Sequence, residues 1–177
     1  MKCMEKTLII INGPTCVGKS AVITELGKLR NGFFHLSYDR VKWCFLDYKS
    51  GSHASEVYKM LTALMRECVE AGVSVIKDGG LYKEKIIPLA EMATKAGYKI
   101  VEVNLEAPKE ELLKRFRARV EMNTNPLYFG QKSANISEDR FWELNEMYES
   151  SKNKELKTYD TSLMSSEEIA KDILSLV

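Results

Sequence analysis

Histidine and cysteine are scarce in this chain of 177 residues, with only His35 and His53 of the one and Cys3, Cys16, Cys44 and Cys68 of the other. The cysteines show no C-x-x-C spacing and form no ligand pattern with the histidines, which excludes a zinc ribbon or finger and a disulfide-stapled secreted domain. Reduced, mostly buried thiols are expected. A charge of one sign is missing too: 26 lysines and arginines against 25 acids leave a net charge of +1. That balance argues against a broadly basic nucleic-acid binder. Long apolar runs are also absent. Residues 7–11 make too short a run for a signal-peptide core, and no later stretch nears the ~20 residues that span a bilayer. The expectation is a cytoplasmic protein without a membrane partner.

What is present suits a packed globular chain. Apolar residues make up 45% and charged residues 29%, and the length is that of one domain, residues 1–177. Residues 7–11 are β-branched and almost continuously apolar, as in a strand buried on both faces of a parallel sheet. Val22, Ile23, Leu26 and Leu29 then recur at helical spacing over residues 19–30, and Asn31-Gly32 supplies a stop. A short strand is expected at 33–37. A helical pattern through Val41, Cys44, Phe45 and Tyr48 follows, then a longer helix with Val57, Leu61, Leu64, Met65 and Cys68 on one face. Residues 73–77 read as strand, 86–96 as helix and 98–105 as strand, and Pro108 opens a further helix.

Periodicity fails after Val120. Residues 121–137 are polar and carry Pro126 and Gly130, so a loop or lid is expected over about 120–137, containing Tyr128, Phe129, Gln131 and Lys132. Helix resumes at 138–149, a last strand is expected at 156–160, and Ser165 with Glu168 forms a capping box for a terminal helix. Strands alternating with helices imply an α/β fold in three layers: a five-stranded parallel sheet flanked by helices. Right-handed crossovers favour the order 2-3-1-4-5 with the first strand in the middle.

The strongest signal is Gly13-Pro14-Thr15-Cys16-Val17-Gly18-Lys19-Ser20, which satisfies G-x-x-x-x-G-K-[ST] between an expected strand and an expected helix. Its fixed positions coincide by chance in a chain this long about once in a hundred. The glycines let backbone N–H groups turn inward around phosphate oxygens, and the helix adds the positive end of its dipole. Lys19 reaches the β- and γ-phosphates, and the Ser20 hydroxyl suits Mg²⁺, which bridges phosphates. Cys16 in this setting is either a thiol of depressed pKa or a tolerated small residue, and we favour the second. A guanine-specific Asn-Lys-x-Asp motif is missing, the nearest string being Asn153-Lys154-Glu155-Leu156. ATP is therefore expected over GTP.

Five segments in order, GPTCVGKS, LSYDRVKW, IKDGG, APKEELLKRFRAR and YDTSLMSSEEIA, make the chain resemble small P-loop kinases of the adenylate, gluconate and shikimate kinase type, and chloramphenicol phosphotransferase and zeta-toxin-like kinases most of all. The resemblance implies the P-loop NTPase fold and covers nearly the whole chain. It puts Asp39 where a carboxylate faces the acceptor hydroxyl. Asp39 also lies just past a strand end, where open parallel sheets bind substrates. Capping the next helix is its alternative role. Arg40 either clamps an anionic acceptor or sits in solvent. The resemblance makes Asp78 the acidic residue that orients Mg²⁺ waters or the acceptor; a strand-end turn is the alternative, and Lys77 departs from the usual apolar run. Arg115 and Arg119 share a helix face and, by resemblance, meet adenine or the transferring phosphoryl group. Helix-end cations are the alternative reading. Asp160 and Thr161 fall where backbone passes the adenine edge in such kinases, or form a plain turn.

The resulting expectation is an ATP- and Mg²⁺-dependent phosphotransferase acting on a hydroxyl of a small molecule: an antibiotic, sugar, sugar nucleotide or nucleoside-type metabolite. Lys19, Asp39, Arg115 and Arg119 would be its catalytic set. A regulatory ATP-binding module without acceptor phosphorylation is one alternative. A nucleic-acid 5′-hydroxyl kinase is another, disfavoured by the charge balance.

Overall fold

The computed structural model describes residues 5–49, 52–79, 83–122 and 136–177. Among them, strands β1 (Thr7–Asn12), β2 (Phe33–Leu36), β3 (Ser74–Asp78), β4 (Lys99–Glu106) and β5 (Thr158–Asp160) form one sheet in the order β2-β3-β1-β4-β5. All its pairings are parallel, with Ile9 beside Ile76 on one flank and beside Val101 on the other. The order is the one expected from the alternation of strands and helices.

β1 explains why the chain folds around it. Leu8, Ile9, Ile10 and Ile11 are all buried, and alternate side chains serve opposite faces. Ile9 and Ile11 pack with Val22, Ile23 and Leu26 of helix α1 (Lys19–Leu29), Phe116 of α5 (Lys109–Met122), Phe141 of α6 (Glu138–Ser151) and Ile169 of α7 (Ser166–Ser175). Leu8 and Ile10 pack with Val57, Leu61 and Met65 of α3 (Ala54–Ala71) and with Ile86 and Leu89 of α4 (Lys83–Lys95). Burying each such side chain is worth about 1.5–3 kcal/mol, so two helical layers are held to one central strand.

The expected capping box is present at Ser165 and Glu168. The helix expected through Tyr48 is shorter: α2 spans Tyr38–Lys42 only. Beyond it the chain makes successive three-residue turns, Cys44 N–H to Val41 O, Phe45 N–H to Lys42 O and Tyr48 N–H to Phe45 O. A three-residue repeat gives nearly the apolar spacing of a helix, which is why the sequence pattern overran. Cys44 consequently is exposed, whereas Cys68 is buried as expected. The helix before the expected lid continues through Met122, and Tyr128, Phe129, Gln131 and Lys132 lie outside the described residues. Among those described, no helix is long and apolar enough to cross a membrane.

Candidate active site

Residues 13–20 curl from the end of β1 into α1 at the C-terminal edge of the sheet. Packing dictates Gly13: a Cβ there would sit 2.7 Å from Val17 Cγ1 and 3.0 Å from the Leu105 carbonyl oxygen. Gly18 is dictated by conformation, because it caps α1 at φ 105°, which side chains disfavour. Lys19 and Ser20 open the helix, so their N–H groups have no intrahelical acceptor and face the curl with the dipole behind them.

The Lys19 ammonium folds back along the loop and donates to the Gly13 and Pro14 carbonyls at 2.7 and 2.8 Å. Desolvation brings its pKa down to about 8, while the charges of Asp78 and Asp39 act the other way. Both expected carboxylates thus feel this amine. Ser20 is exposed at the mouth of the curl. Cys16 is half-buried, and burial raises its thiol pKa even though Arg119, Lys19 and Arg115 oppose the shift. Burial thus runs against the depressed thiol weighed from the sequence.

Asp78, at the end of β3, is closely held. Its Oδ2 accepts from the Ser37 hydroxyl at 2.7 Å and lies 3.6 Å from His35 Nε2, while Oδ1 is 3.1 Å from Lys77 Nζ. Burial favours its neutral form, but the His35, Lys77 and Ser37 contacts outweigh that and hold the carboxyl well below its ordinary range. Lys77, only 4% exposed, is a buried cation with a partner, which resolves its oddity in an apolar strand.

Ser37 also settles who caps α2. Its Oγ accepts the Arg40 N–H at 3.4 Å, so Ser37 and not Asp39 is the N-cap. Asp39 stands in the first turn with its side chain 56% exposed, ion-paired to Lys42 Nζ. That ammonium lies 5.9, 5.3 and 5.5 Å from the ring centroids of Tyr38, Trp43 and Tyr48, within cation–π range of all three. Arg40 is exposed beside it.

On the opposite side, Arg115 is a brace. Its Nε donates to Glu111, its Nη1 to the Val17 carbonyl at 3.1 Å and to Thr161 Oγ1 at 2.9 Å, and its Nη2 to the Thr161 carbonyl at 3.0 Å. Thr161 Oγ1 in turn donates to Val17 O at 2.8 Å. Phosphate loop, α5 and the turn after β5 are thereby tied together. Asp160 closes that turn, accepting from Ser162 N–H at 2.8 Å, and the Ser162 hydrogen bonds lower its pKa. Arg119 reaches the Cys16 thiol within the loop.

One participant went unseen in the sequence. Asn145 of α6 accepts the Thr15 N–H at 2.6 Å and is buried between Phe141 and Tyr148. The signal was available: a lone amide at the buried spacing of an amphipathic helix asks for a polar partner.

A family model described as AAA domain matches residues 8–143. Among solved structures, the fold is similar to a gluconokinase from Sinorhizobium meliloti 1021 (16% identity, 96% of this chain and 90% of that one, TM-score 0.62). It is likewise similar to the APS kinase of Mycobacterium tuberculosis (17%, 97% of each, 0.60) and to the tunicamycin resistance protein of Deinococcus radiodurans (15%, 96% and 94%, 0.62). No curated protein matches by sequence. At such identities the structural likeness speaks for the fold, that of small P-loop kinases, and the family model spans most of the chain: the protein belongs to the AAA-domain family.

Proposed function

We propose that the protein is an ATP-dependent phosphotransferase that moves the γ-phosphoryl group to a hydroxyl of a small molecule. The observation that carries this is that the Lys19 amine of the phosphate loop feels the charges of two carboxylates, Asp78 at the C-terminal end of the adjoining β3 and Asp39 in the first turn of α2 just past β2. A loop that only stored nucleotide has no use for an exposed carboxylate on its open side.

In this reading the loop N–H groups from Cys16 to Ser20 and the Lys19 amine bind the phosphates, while Arg115 and Thr161 keep the loop in place. Asp160 and Thr161 bring the last turn to the side where adenine is read. Asp39 accepts or orients the acceptor's hydroxyl proton, with Arg40 at the rim of the acceptor space. Arg119 offsets charge on the transferring group, for which a guanidinium is suited. The Ser20 hydroxyl and Asp78 would hold Mg²⁺, Asp78 by way of waters because its own oxygens already have partners. Hard oxygen donors few in number suit this ion, which takes the remainder from water and phosphate. When bound, Mg²⁺ supplies charge neutralisation between the β- and γ-phosphates.

The acceptor belongs to the sugars, sugar nucleotides, nucleoside-type metabolites or antibiotics. Gluconokinase, APS kinase and tunicamycin resistance protein as structural neighbours support that range. A nucleic-acid acceptor fits poorly with a net charge of +1. The test is ADP release from MgATP across gluconate, APS, chloramphenicol, tunicamycin and nucleosides, with Lys19→Ala as blank. Asp39→Asn is expected to abolish turnover of the responding acceptor and leave MgATP affinity within about twofold. Acceptor turnover that survives Asp39→Asn removes Asp39 as base. MgATP binding with no turnover of any acceptor would favour a regulatory module.

A further inference from the structure

Ser37 joins the two carboxylates of the site. β2 and β3 pair with Leu36 beside Lys77, so one step further the register sets Ser37 beside Asp78 where both strands end. Ser37 is 2% exposed, and its hydroxyl donates to Asp78 Oδ2 at 2.7 Å while accepting the Arg40 N–H at 3.4 Å. A serine hydroxyl has one proton, and here Asp78 receives it. His35 Nε2, 3.6 Å from the same oxygen, lies outside hydrogen-bond distance. Ser37 thus holds Oδ2 as Lys77 holds Oδ1.

Two contacts do what one could not. The terminal torsion of an aspartate is broad and nearly two-fold, so a single contact leaves the carboxylate plane free to turn. A hydroxyl on one oxygen and an ammonium on the other fix it. Asp78 still keeps 21% of its side chain exposed, so the water of a hydrated cation can reach the carboxylate, whose oxygens together offer about four acceptor positions. The same Ser37 hydroxyl ties that carboxylate to the first turn of α2, which carries Asp39. We propose that Ser37 is a positioning residue: its hydroxyl fixes the plane of Asp78 for water-mediated Mg²⁺ binding, from the same atom that caps α2. This rests on the reading of Asp78 as the metal-side carboxylate and not on acceptor phosphorylation.

The test is calorimetric titration of the full chain with the non-hydrolysable β,γ-imido analogue of ATP, once with Mg²⁺ and once in EDTA, so that the ratio of the two Kd values reports what the cation contributes. Ser37→Ala, Ser37→Gly and Ser37→Thr are compared with wild type, and Ser37→Ala is repeated in an Asp78→Asn background. Glycine keeps most of the cap and loses the donor, whereas threonine keeps both. The expected result is a ratio about tenfold smaller for alanine and glycine, the low end for losing a group that orients a metal ligand, with the wild-type ratio for threonine and Kd in EDTA within about twofold throughout. In the Asp78→Asn background Ser37→Ala is expected to change nothing further, because the two side chains act as one unit. Affinities that weaken equally with and without Mg²⁺ would mean that Ser37 only supports the fold, and a full effect of Ser37→Ala without the Asp78 carboxylate would mean that it acts elsewhere; either overturns the inference. So does Ser37→Gly at the wild-type ratio, which would reduce Ser37 to a cap, or a threonine ratio as low as that of alanine. Should Ser37→Ala melt too low to titrate, the glycine and threonine variants decide alone. Wild type that binds the analogue equally with and without Mg²⁺ overturns the metal reading of Asp78 together with this inference, and wild type that binds it in neither condition overturns the reading of the loop as well. No acceptor enters these titrations, so a panel without acceptor turnover bears on the phosphotransferase alone.

Discussion

The two sides of the site are built differently. On the nucleotide side the loop is pinned from three elements: Arg115 of α5 and Thr161 after β5 hold Val17, and Asn145 of α6 holds Thr15. Gly13 is additionally enclosed by Val17 and Leu105. On the acceptor side, Asp39 projects from a helix of five residues and its partner Lys42 is held by aromatic rings. Side chains from three distant elements, each bonded to the loop backbone, fix the first side. The second depends on side chains that can change without unfolding the sheet, so in the proposed phosphotransferase phosphate binding would be the rigid function and acceptor choice the adjustable one.

The largest effect that sharpens this contrast comes from Lys19. Replacing it with alanine removes the amine that lies between the loop carbonyls and feels both carboxylates. Turnover measured by ADP release is expected to fall by about 10²–10³, as for loss of one transition-state donor, with no loss of thermal stability. A variant within tenfold of wild type would make the two sides equally dispensable and break the comparison.

Arg115→Ala comes next. It removes three hydrogen bonds that join loop, helix and last turn, and a fourth to Glu111 within the helix. MgATP affinity is expected to weaken about tenfold, a loss of the size of one charge-assisted hydrogen bond. Arg115→Lys is not expected to restore it, because a point charge cannot address the Val17 and Thr161 acceptors together. Acceptor KM unchanged in both variants would show that the brace belongs to the nucleotide side alone.

The same contrast explains what could be read from the sequence. The loop, the sheet order and the capping box were legible because each depends on residues within one turn or on a local period: Gly13 and Gly18 with Lys19, the apolar run of β1, and Ser165 with Glu168. Partners distant in sequence were not. Thr15 meets Asn145 and Val17 meets Thr161 across most of the chain, and only the folded sheet brings them together. Capping stood as the alternative role for Asp39 because Ser37, two residues earlier, could not be seen to do that work. The segment after α2 misled for a different reason: turns of three residues repeat nearly as a helix does.

A smaller effect is expected at Lys42. Its ion pair with Asp39 is exposed at the carboxylate end only, the Lys42 side chain being mostly covered; such half-exposed pairs contribute about 0–1 kcal/mol, to which contacts with Tyr38, Trp43 and Tyr48 add about 0.5–1 kcal/mol. Lys42→Met should therefore lower stability in urea by no more than about 1–2 kcal/mol while reducing acceptor kcat several-fold and leaving MgATP affinity alone. An equal loss of nucleotide affinity would mean that the acceptor side is not separable from the loop.

The smallest effect needs no substitution. Cys16 lies in the loop, half-buried, its thiol pKa raised by burial against the pull of Arg119, Lys19 and Arg115, whereas Cys44 lies exposed just past α2. Only the thiolate reacts with alkylating reagents, so both protonation and access slow Cys16. Iodoacetamide at pH 7.5, followed by peptide mass mapping, is expected to label Cys44 first and Cys16 several-fold more slowly, with MgATP slowing Cys16 further and leaving Cys44 unchanged. If Cys16 reacts as fast as Cys44, the loop is looser than its three pins imply, and the distinction between a rigid phosphate side and an adjustable acceptor side fails at its rigid end.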